Sequence, residues 1–189
     1  MSMFPVHTND SAPEQARQTL EIVASAFGFV PNLLGVMANS PALAEAYVTL
    51  SGIFEKKTGL TPTEQQIVLL AVSRYHECRY CMAAHTMIAG MHKVPQEVTD
   101  AIRNDSPIPD PKLEALRQLT TSIVALRGWP TEQELQSFIN AGYQPSHIFD
   151  VLVGVVQKTL SNYTNHLAGT PLDSKMEAYA WSPARKGAA

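Results

Sequence analysis

The chain has 189 residues, 45% hydrophobic and 16% charged, with a formal net charge of -3. That length supports a real core, and the lack of a basic cluster to track phosphates argues against a nucleic-acid partner. The longest apolar run, Ile67 to Val72, is far too short to span a bilayer, and Met1-Ser2-Met3-Phe4-Pro5 has neither a charged nor an apolar leader region. No membrane association and a cytoplasmic location are therefore expected.

The apolar spacing predicts helices almost throughout. Ala16, Leu20, Val23, Ala24 and Phe27 recur at helical intervals between Pro13 and Phe27. Phe29-Val30-Pro31-Asn32 interrupts that pattern, and a short helix is expected through Met37. Ser40-Pro41 is an N-cap followed by proline at the first helical position, opening a helix to about Lys57. Thr61-Pro62-Thr63-Glu64 is a second start signal, in which Glu64 reaches back to the Thr61 cap. Its helix runs toward Tyr75-His76-Glu77, and another carries the cysteines to about His92.

Pro95 opens a short helix to Arg103. A linker follows at residues 104–111, with three prolines in eight positions. Helices are then expected over 112–127 and 131–141, and a long one runs from Pro145-Ser146 to about Leu167, closed by Gly169 and Pro171. Ile148, Leu152, Val155, Val156, Leu160 and Tyr163 cover a broad face of it, wide enough for burial on more than one side. A last turn is expected between Lys175 and Trp181, with disorder from Arg185 onward. No alternating run supports a sheet. The reading is an all-α chain, a single domain over 1–189, with N-terminal helices at 14–57, a helical hairpin at 61–92 and C-terminal helices at 112–168.

The chemistry concentrates in Cys78-Arg79-Tyr80-Cys81-Met82-Ala83-Ala84-His85, which holds both cysteines. On a helix, Cys81 and His85 fall within roughly 60° of Cys78 about the axis. Positions three apart sit about 5 Å apart at Cα, a distance a disulfide spans. With a break at Tyr75-His76-Glu77, Cys78 lies near the N-cap and Cys81 in the first turn, where the helix dipole favours thiolate. His85, one turn on, is placed to exchange a proton with Cys81. A Cys81 thiolate can attack a hydroperoxide to give a sulfenic acid, which Cys78 condenses to a disulfide.

Two other readings of these residues stay open. Buried helical cysteines also serve as small apolar packing, and His85 as a hydrogen-bonded core histidine. Cys-x-x-Cys-x-x-x-His also supplies zinc ligand types, although no fourth ligand stands nearby in sequence. Asn162, Tyr163, Asn165 and His166 set polar groups near the end of an apolar helix, read first as a helix-end hydrogen-bond network. Met87 and Met91 share a face and are candidates to line an apolar channel, though packing is the default. There is no Gly-x-Gly-x-x-Gly fingerprint, and no flavin, nicotinamide or haem site is expected.

The run Leu60-Thr61-Pro62-Thr63-Glu64, the apolar stretch Val68 to Ser73 and the Cys78–His85 motif together resemble the carboxymuconolactone decarboxylase/AhpD-like alkyl hydroperoxidase superfamily. Lys158-Thr159-Leu160-Ser161-Asn162-Tyr163-Thr164-Asn165-His166 with Ala168-Gly169-Thr170-Pro171 resembles its peroxidase-related branch. The resemblance implies an AhpD-like helical bundle, a homo-oligomer (trimer or hexamer) and a peroxide-reducing dithiol reset by a thiol reductant. It implies Cys81 as the peroxidatic thiol, Cys78 as the resolving one and His85 as the proton relay, with the cysteine pair as the only cofactor.

One departure matters. The family's relay begins with a glutamate at the position held here by Gln66, and an amide cannot accept a thiol proton. Gln66 is retained as an orienting residue, with a solvated helix surface as its alternative. Tyr80 also replaces a histidine between the cysteines. The expected activity is reduction of organic hydroperoxides. The alternatives are thiol–disulfide exchange on a small disulfide substrate and a redox-sensing oligomer.

Overall fold

The computed structural model describes residues 3–183, so the expectation of disorder from Arg185 onward lies outside the described residues. Among them the secondary structure is helical, with no strand. Helices α1 (Glu14–Phe27), α2 (Asn32–Met37), α3 (Pro41–Lys57), α4 (Pro62–Tyr75) and α5 (Arg79–Met91) form the N-terminal half. Helices α6 (Gln96–Arg103), α7 (Pro111–Ala125), α8 (Glu132–Asn140) and α9 (Pro145–Ala168) follow, and a 3-10 turn, Ser174–Tyr179, closes the chain. The boundaries lie within a few residues of those read from the sequence, because caps and prolines mark them.

The caps behave as their chemistry requires. Glu64 accepts from the Thr61 backbone N–H and hydroxyl, both at 2.8 Å, while Thr61 Oγ1 accepts from the Glu64 N–H at 3.3 Å. This closes the start of α4. Asp110 caps α7 in the same spirit, accepting from the N–H groups of Lys112 and Leu113.

Helix α4 is the axis of the molecule. Every residue from Glu64 to Ser73 is buried, so this helix is enclosed on all sides. It packs against α3, α5, α6, α7 and α9. One core lies on its α7 and α9 side and holds Ile67, Leu70, Leu116, Leu119 and Phe138. The other lies among α1, α2, α3 and α5 and includes Leu20, Met37, Tyr47 and both cysteines. Gly154 lets α9 approach both α3 and α4, since a Cβ there would sit 2.7 Å from Phe54 and from Val68. That close crossing sets the height at which the polar residues of α9 meet α5.

The tail is anchored. The Arg103 guanidinium donates to the carbonyls of Tyr179 and Ala180, and Trp181 Nε1 donates to the Arg103 carbonyl at 3.1 Å. No helix among the described residues is long and apolar enough to cross a membrane.

Candidate active site

Helix α4 ends at Tyr75, and Glu77 takes a left-handed backbone conformation (φ 54°) that turns the chain into α5. Cys78 becomes the N-cap of α5 and Cys81 its third residue, which places both at the positive end of the helix dipole. The two cysteines are free thiols 3.5 Å apart, and both are buried. Closing a bridge between them therefore needs little backbone motion.

The α9 helix lays a polar ladder over this pair. Asn165 Nδ2 donates to Cys81 Sγ at 3.2 Å and to Cys78 Sγ at 3.7 Å. Ser161 Oγ lies 3.7 Å from Cys81 Sγ. Asn162 Oδ1 meets His76 Nδ1 at 3.0 Å, and its Nδ2 donates to Ser73 Oγ at 3.4 Å. The residues read as a helix-end network thus reach the thiols directly through Asn165.

Lys158 is the residue that sequence reasoning passed over. It is 1% exposed, and among the described residues the groups that act on it are Cys81, Tyr47 and Cys78, none of them a carboxylate. Its Nζ donates to Nε2 of His85 at 2.6 Å and lies 5.9 Å from the centre of the Tyr47 ring. The signal was a lone lysine inside Val155-Val156-Gln157-Lys158-Thr159-Leu160, three residues before Ser161 on the α9 face that meets Cys81.

His85 and Gln66 come together as a pair. Gln66 is buried, not solvated, and its Oε1 accepts from His85 Nδ1 at 3.0 Å. With Nδ1 carrying the proton, Nε2 keeps the lone pair that Lys158 fills. Both ring nitrogens are thereby engaged, and Lys158 rather than His85 is the charged group beside Cys81. The same engagement takes the ring away from any zinc site with the two thiols.

The electrostatics follow from this arrangement. Burial pushes the Cys81 thiol up, but the Cys78 hydrogen bond, the Lys158 ammonium, Ser161 and Asn162 outweigh it and bring Cys81 down to about 5. Cys78 moves up, because its hydrogen bond to Cys81 and its own burial both favour its protonated form. Burial works against the Lys158 ammonium, yet the Cys81 charge, Tyr47 and Cys78 hold its pKa above the ordinary lysine value. Burial and then the nearby Lys158 charge push His85 well below its usual range, so its imidazole is neutral. These shifts all favour a Cys81 thiolate beside a Lys158 ammonium, with a neutral histidine behind them.

Tyr80, between the cysteines, turns away from this chemistry. Its hydroxyl donates to the Asp173 carboxylate and accepts from the Leu33 N–H at 3.2 Å, while Asp173 also accepts from the Asn32 N–H at the start of α2. It ties α5 to α2 and the tail.

A cavity of about 360 Å³ opens onto the site. Leu33, Leu34, Phe54, Leu69, Met87 and Ile88 supply apolar wall, and Cys81, His85, Gln66, Lys158 and Gln157 supply the polar wall. Met91 also lines it and is largely exposed. This is the size and composition of a site for a small organic molecule.

The fold and site define an all-helical protein with two buried, neighbouring thiols and a buried lysine beside a largely apolar cavity. Residues 41–134 match the model of the carboxymuconolactone decarboxylase family, which places that stretch of the chain in the superfamily anticipated from its sequence. The fold is similar to an alkylhydroperoxidase AhpD core, a peroxidase-related protein from Ralstonia eutropha JMP134, at a TM-score of 0.80 and 22% identity, covering 93% of this chain and 94% of that one. It is similar to a peroxidase-related protein from Silicibacter sp. TM1040 at a TM-score of 0.77 and 16% identity, covering 92% of each chain. It is equally similar, at a TM-score of 0.77 and 15% identity over 95% of this chain and 97% of the other, to a cysteine-to-alanine variant of the debrominase Bmp8 in complex with 2,3,4-tribromopyrrole. No curated protein matches the chain.

Proposed function

We propose that the chain is a dithiol peroxidase that reduces organic hydroperoxides. The observation that carries this reading is the buried Cys81 thiol, 3.5 Å from Cys78 and hydrogen-bonded to Asn165, which shares the wall of a largely apolar cavity with Lys158. A thiolate is the nucleophile such chemistry needs, and an adjacent ammonium is the acid.

The Cys81 thiolate attacks the terminal oxygen of the peroxide, and the O–O bond breaks. Lys158 protonates the departing alkoxide, giving an alcohol and Cys81 sulfenic acid. The Cys78 thiol then displaces hydroxide from that sulfur, its own proton completes water, and a Cys78–Cys81 disulfide forms. A thiol reductant supplies two electrons and two protons, restoring the Cys78 thiol, the Cys81 thiolate and the Lys158 ammonium. His85 accepts the hydrogen bond that aims Lys158, and Gln66 fixes the tautomer of His85.

Both thiols are buried, which favours a small reductant reaching them through the cavity. In this reading the exposed apolar residues of α9, including Phe149, Leu152, Val156 and Leu167, pack against further copies of the chain. The debrominase Bmp8 raises a second two-electron substrate class, because a dithiol can also reduce a carbon–bromine bond.

The test is free-thiol titration and intact mass of the reduced protein before and after cumene hydroperoxide, with Cys78→Ser and Cys81→Ser variants beside it. Wild type should lose both thiols, and Cys78→Ser should trap a sulfenic acid. Thiols that survive the peroxide in wild type but are consumed by a disulfide donor would move the activity to thiol–disulfide exchange. Oxidation by 2,3,4-tribromopyrrole with bromide release, and not by peroxide, would move it to dehalogenation.

A further inference from the structure

The cavity beside Cys81 is drawn out into a channel. Cys81, Ala84, Ile88 and Met91 line it from one face of α5, at positions i, i+3, i+7 and i+10. Ten residues of helix rise about 15 Å, so the lining runs from the third residue of α5 to its last. Helix α3 supplies a second wall. Tyr47 stands by Lys158 at the reacting end, and Val48, Gly52, Glu55 and Lys56 continue the wall from one face. A volume of about 360 Å³ spread over that length is longer than it is wide. Buried Tyr80, Leu33 and Met176 close it beside Cys81, whereas Met91 is 69% exposed.

Gly52 stands partway along the α3 wall, five residues or about 7.5 Å beyond Tyr47. Glycine inside a helix is destabilising relative to alanine, so one in the interior of α3 needs a reason. At Gly154 the reason is packing, since an added Cβ would sit 2.7 Å from Phe54 and from Val68. At Gly52 an added Cβ would meet nothing within 4 Å, and the helical backbone there requires no glycine. Its neighbours on the same face, Val48, Glu55 and Lys56, all line the channel, so the space that Gly52 leaves open belongs to the channel.

We infer that the channel is built for unbranched chains that carry the reacting group at one end, and that Gly52 is the residue that admits the longer ones. The chain enters end-on, its reactive terminus reaches Cys81, and its tail lies past Gly52 toward Met91. A reacting group in the middle of a chain would send a second arm into Tyr80, Leu33 and Met176. Under the peroxidase reading the preferred substrates are terminal hydroperoxides of linear chains, ahead of mid-chain and tertiary ones. The inference rests on that reading for the reacting group and on the shape of the channel for the rest.

Unreactive alcohols test the shape apart from the chemistry. 1-Nonanol and 5-nonanol are isomers, and only the first carries its hydroxyl at the end of the chain. Each is titrated into the reduced full-length protein, and protection of Cys81 from iodoacetamide, mapped by mass spectrometry, reports occupancy. 1-Nonanol should protect at about tenfold lower concentration than 5-nonanol, the equivalent of one to two methylenes left unburied. From 1-butanol to 1-nonanol, protection should strengthen about fourfold per added methylene. In Gly52→Leu that gain should stop partway along the series, and the nonanol-to-butanol ratio should fall at least about tenfold. Leucine is the better helix former, so α3 is expected to hold in this variant. Equal protection by the two isomers, no dependence on chain length, or a length dependence that survives in a folded Gly52→Leu would each overturn the inference. The isomer comparison decides even if the variant does not fold. Failure of the peroxidase reading would instead show as inertness toward cumene and linear hydroperoxides alike, with the preference among alcohols intact.

Discussion

Lys158 Nζ donates across 2.6 Å to Nε2 of His85, and both side chains are buried. The direction of that bond is set two steps away, because Gln66 Oε1 takes the Nδ1 proton and leaves Nε2 as an acceptor. A carboxylate at position 66 would favour an imidazolium instead, and two cations would then face each other. The amide therefore suits a site whose positive charge is a lysine, and the missing glutamate and the buried lysine form one arrangement.

Replacing Lys158 by Met keeps most of the volume and removes the charge. The Cys81 pKa should rise, since a principal force holding its proton off is gone. Peroxide reactivity at neutral pH should drop about 100-fold, the low end of what a positioned acid contributes. The check is the pH profile of Cys81 alkylation in a Cys78→Ser background, whose midpoint should move upward in Lys158→Met. An unmoved midpoint would mean that the helix N-terminus and Asn165 suffice to ionise the thiol.

The elements were legible because their punctuation is local. Thr61-Pro62 and Glu64, Asp110-Pro111, and Gly169 each fix a helix end through groups within a few residues. The Cys78, Cys81 and His85 motif was legible for the same reason, since one turn of helix brings the three onto one face. Lys158 and Asn165 were not, because their meaning depends on how α9 crosses α4 and α5. That crossing is set by the contact of Gly154 with Phe54 and Val68, which no local pattern encodes. Gln66 was assigned an orienting role from its position, but its burial follows from α4 being enclosed on every side.

Stability should report the same thiolate. The folded pKa of Cys81, about 5, lies below the ~8.5 of an unfolded cysteine, so its ionised form contributes stability fully present above ~8.5 and lost as pH falls through about 5. Lys158, raised on folding, contributes stability that is present below the ordinary lysine pKa and lost only at more alkaline pH. Cys78, pushed up, likewise favours the fold below ~8.5 and begins to oppose it above. Between pH 5 and 8.5 the Cys81 slope therefore stands alone among the three. Below ~6.5 the buried His85 and the half-buried His76, both pushed down on folding, add a slope of the same sign, so Cys81 is isolated between ~6.5 and ~8.5. Urea midpoints of the reduced protein should rise across that narrower window, and that rise should be largely absent in Cys81→Ser. Equal slopes in both proteins would mean that the thiol is protonated in the fold.

Gln66→Glu tests the tautomer argument from the other end. A carboxylate 3.0 Å from Nδ1, where the Gln66 oxygen now sits, stabilises a proton on the ring, so the His85 pKa should climb back toward its ordinary range. As the ring protonates with falling pH, Nε2 ceases to accept from Lys158 and the two cations repel. The thiolate should then be served by a displaced lysine, and peroxide reactivity should acquire a new ionisation near pH 6–7, falling on its acid side by roughly tenfold. Histidine ring resonances followed by NMR across pH 5–8 give the first part, and the rate profile gives the second. In wild type His85 should stay neutral through that range, because burial and Lys158 hold it well below its usual value. A wild-type His85 that titrates normally would mean that neither burial nor the Lys158 charge acts on the ring as this arrangement requires.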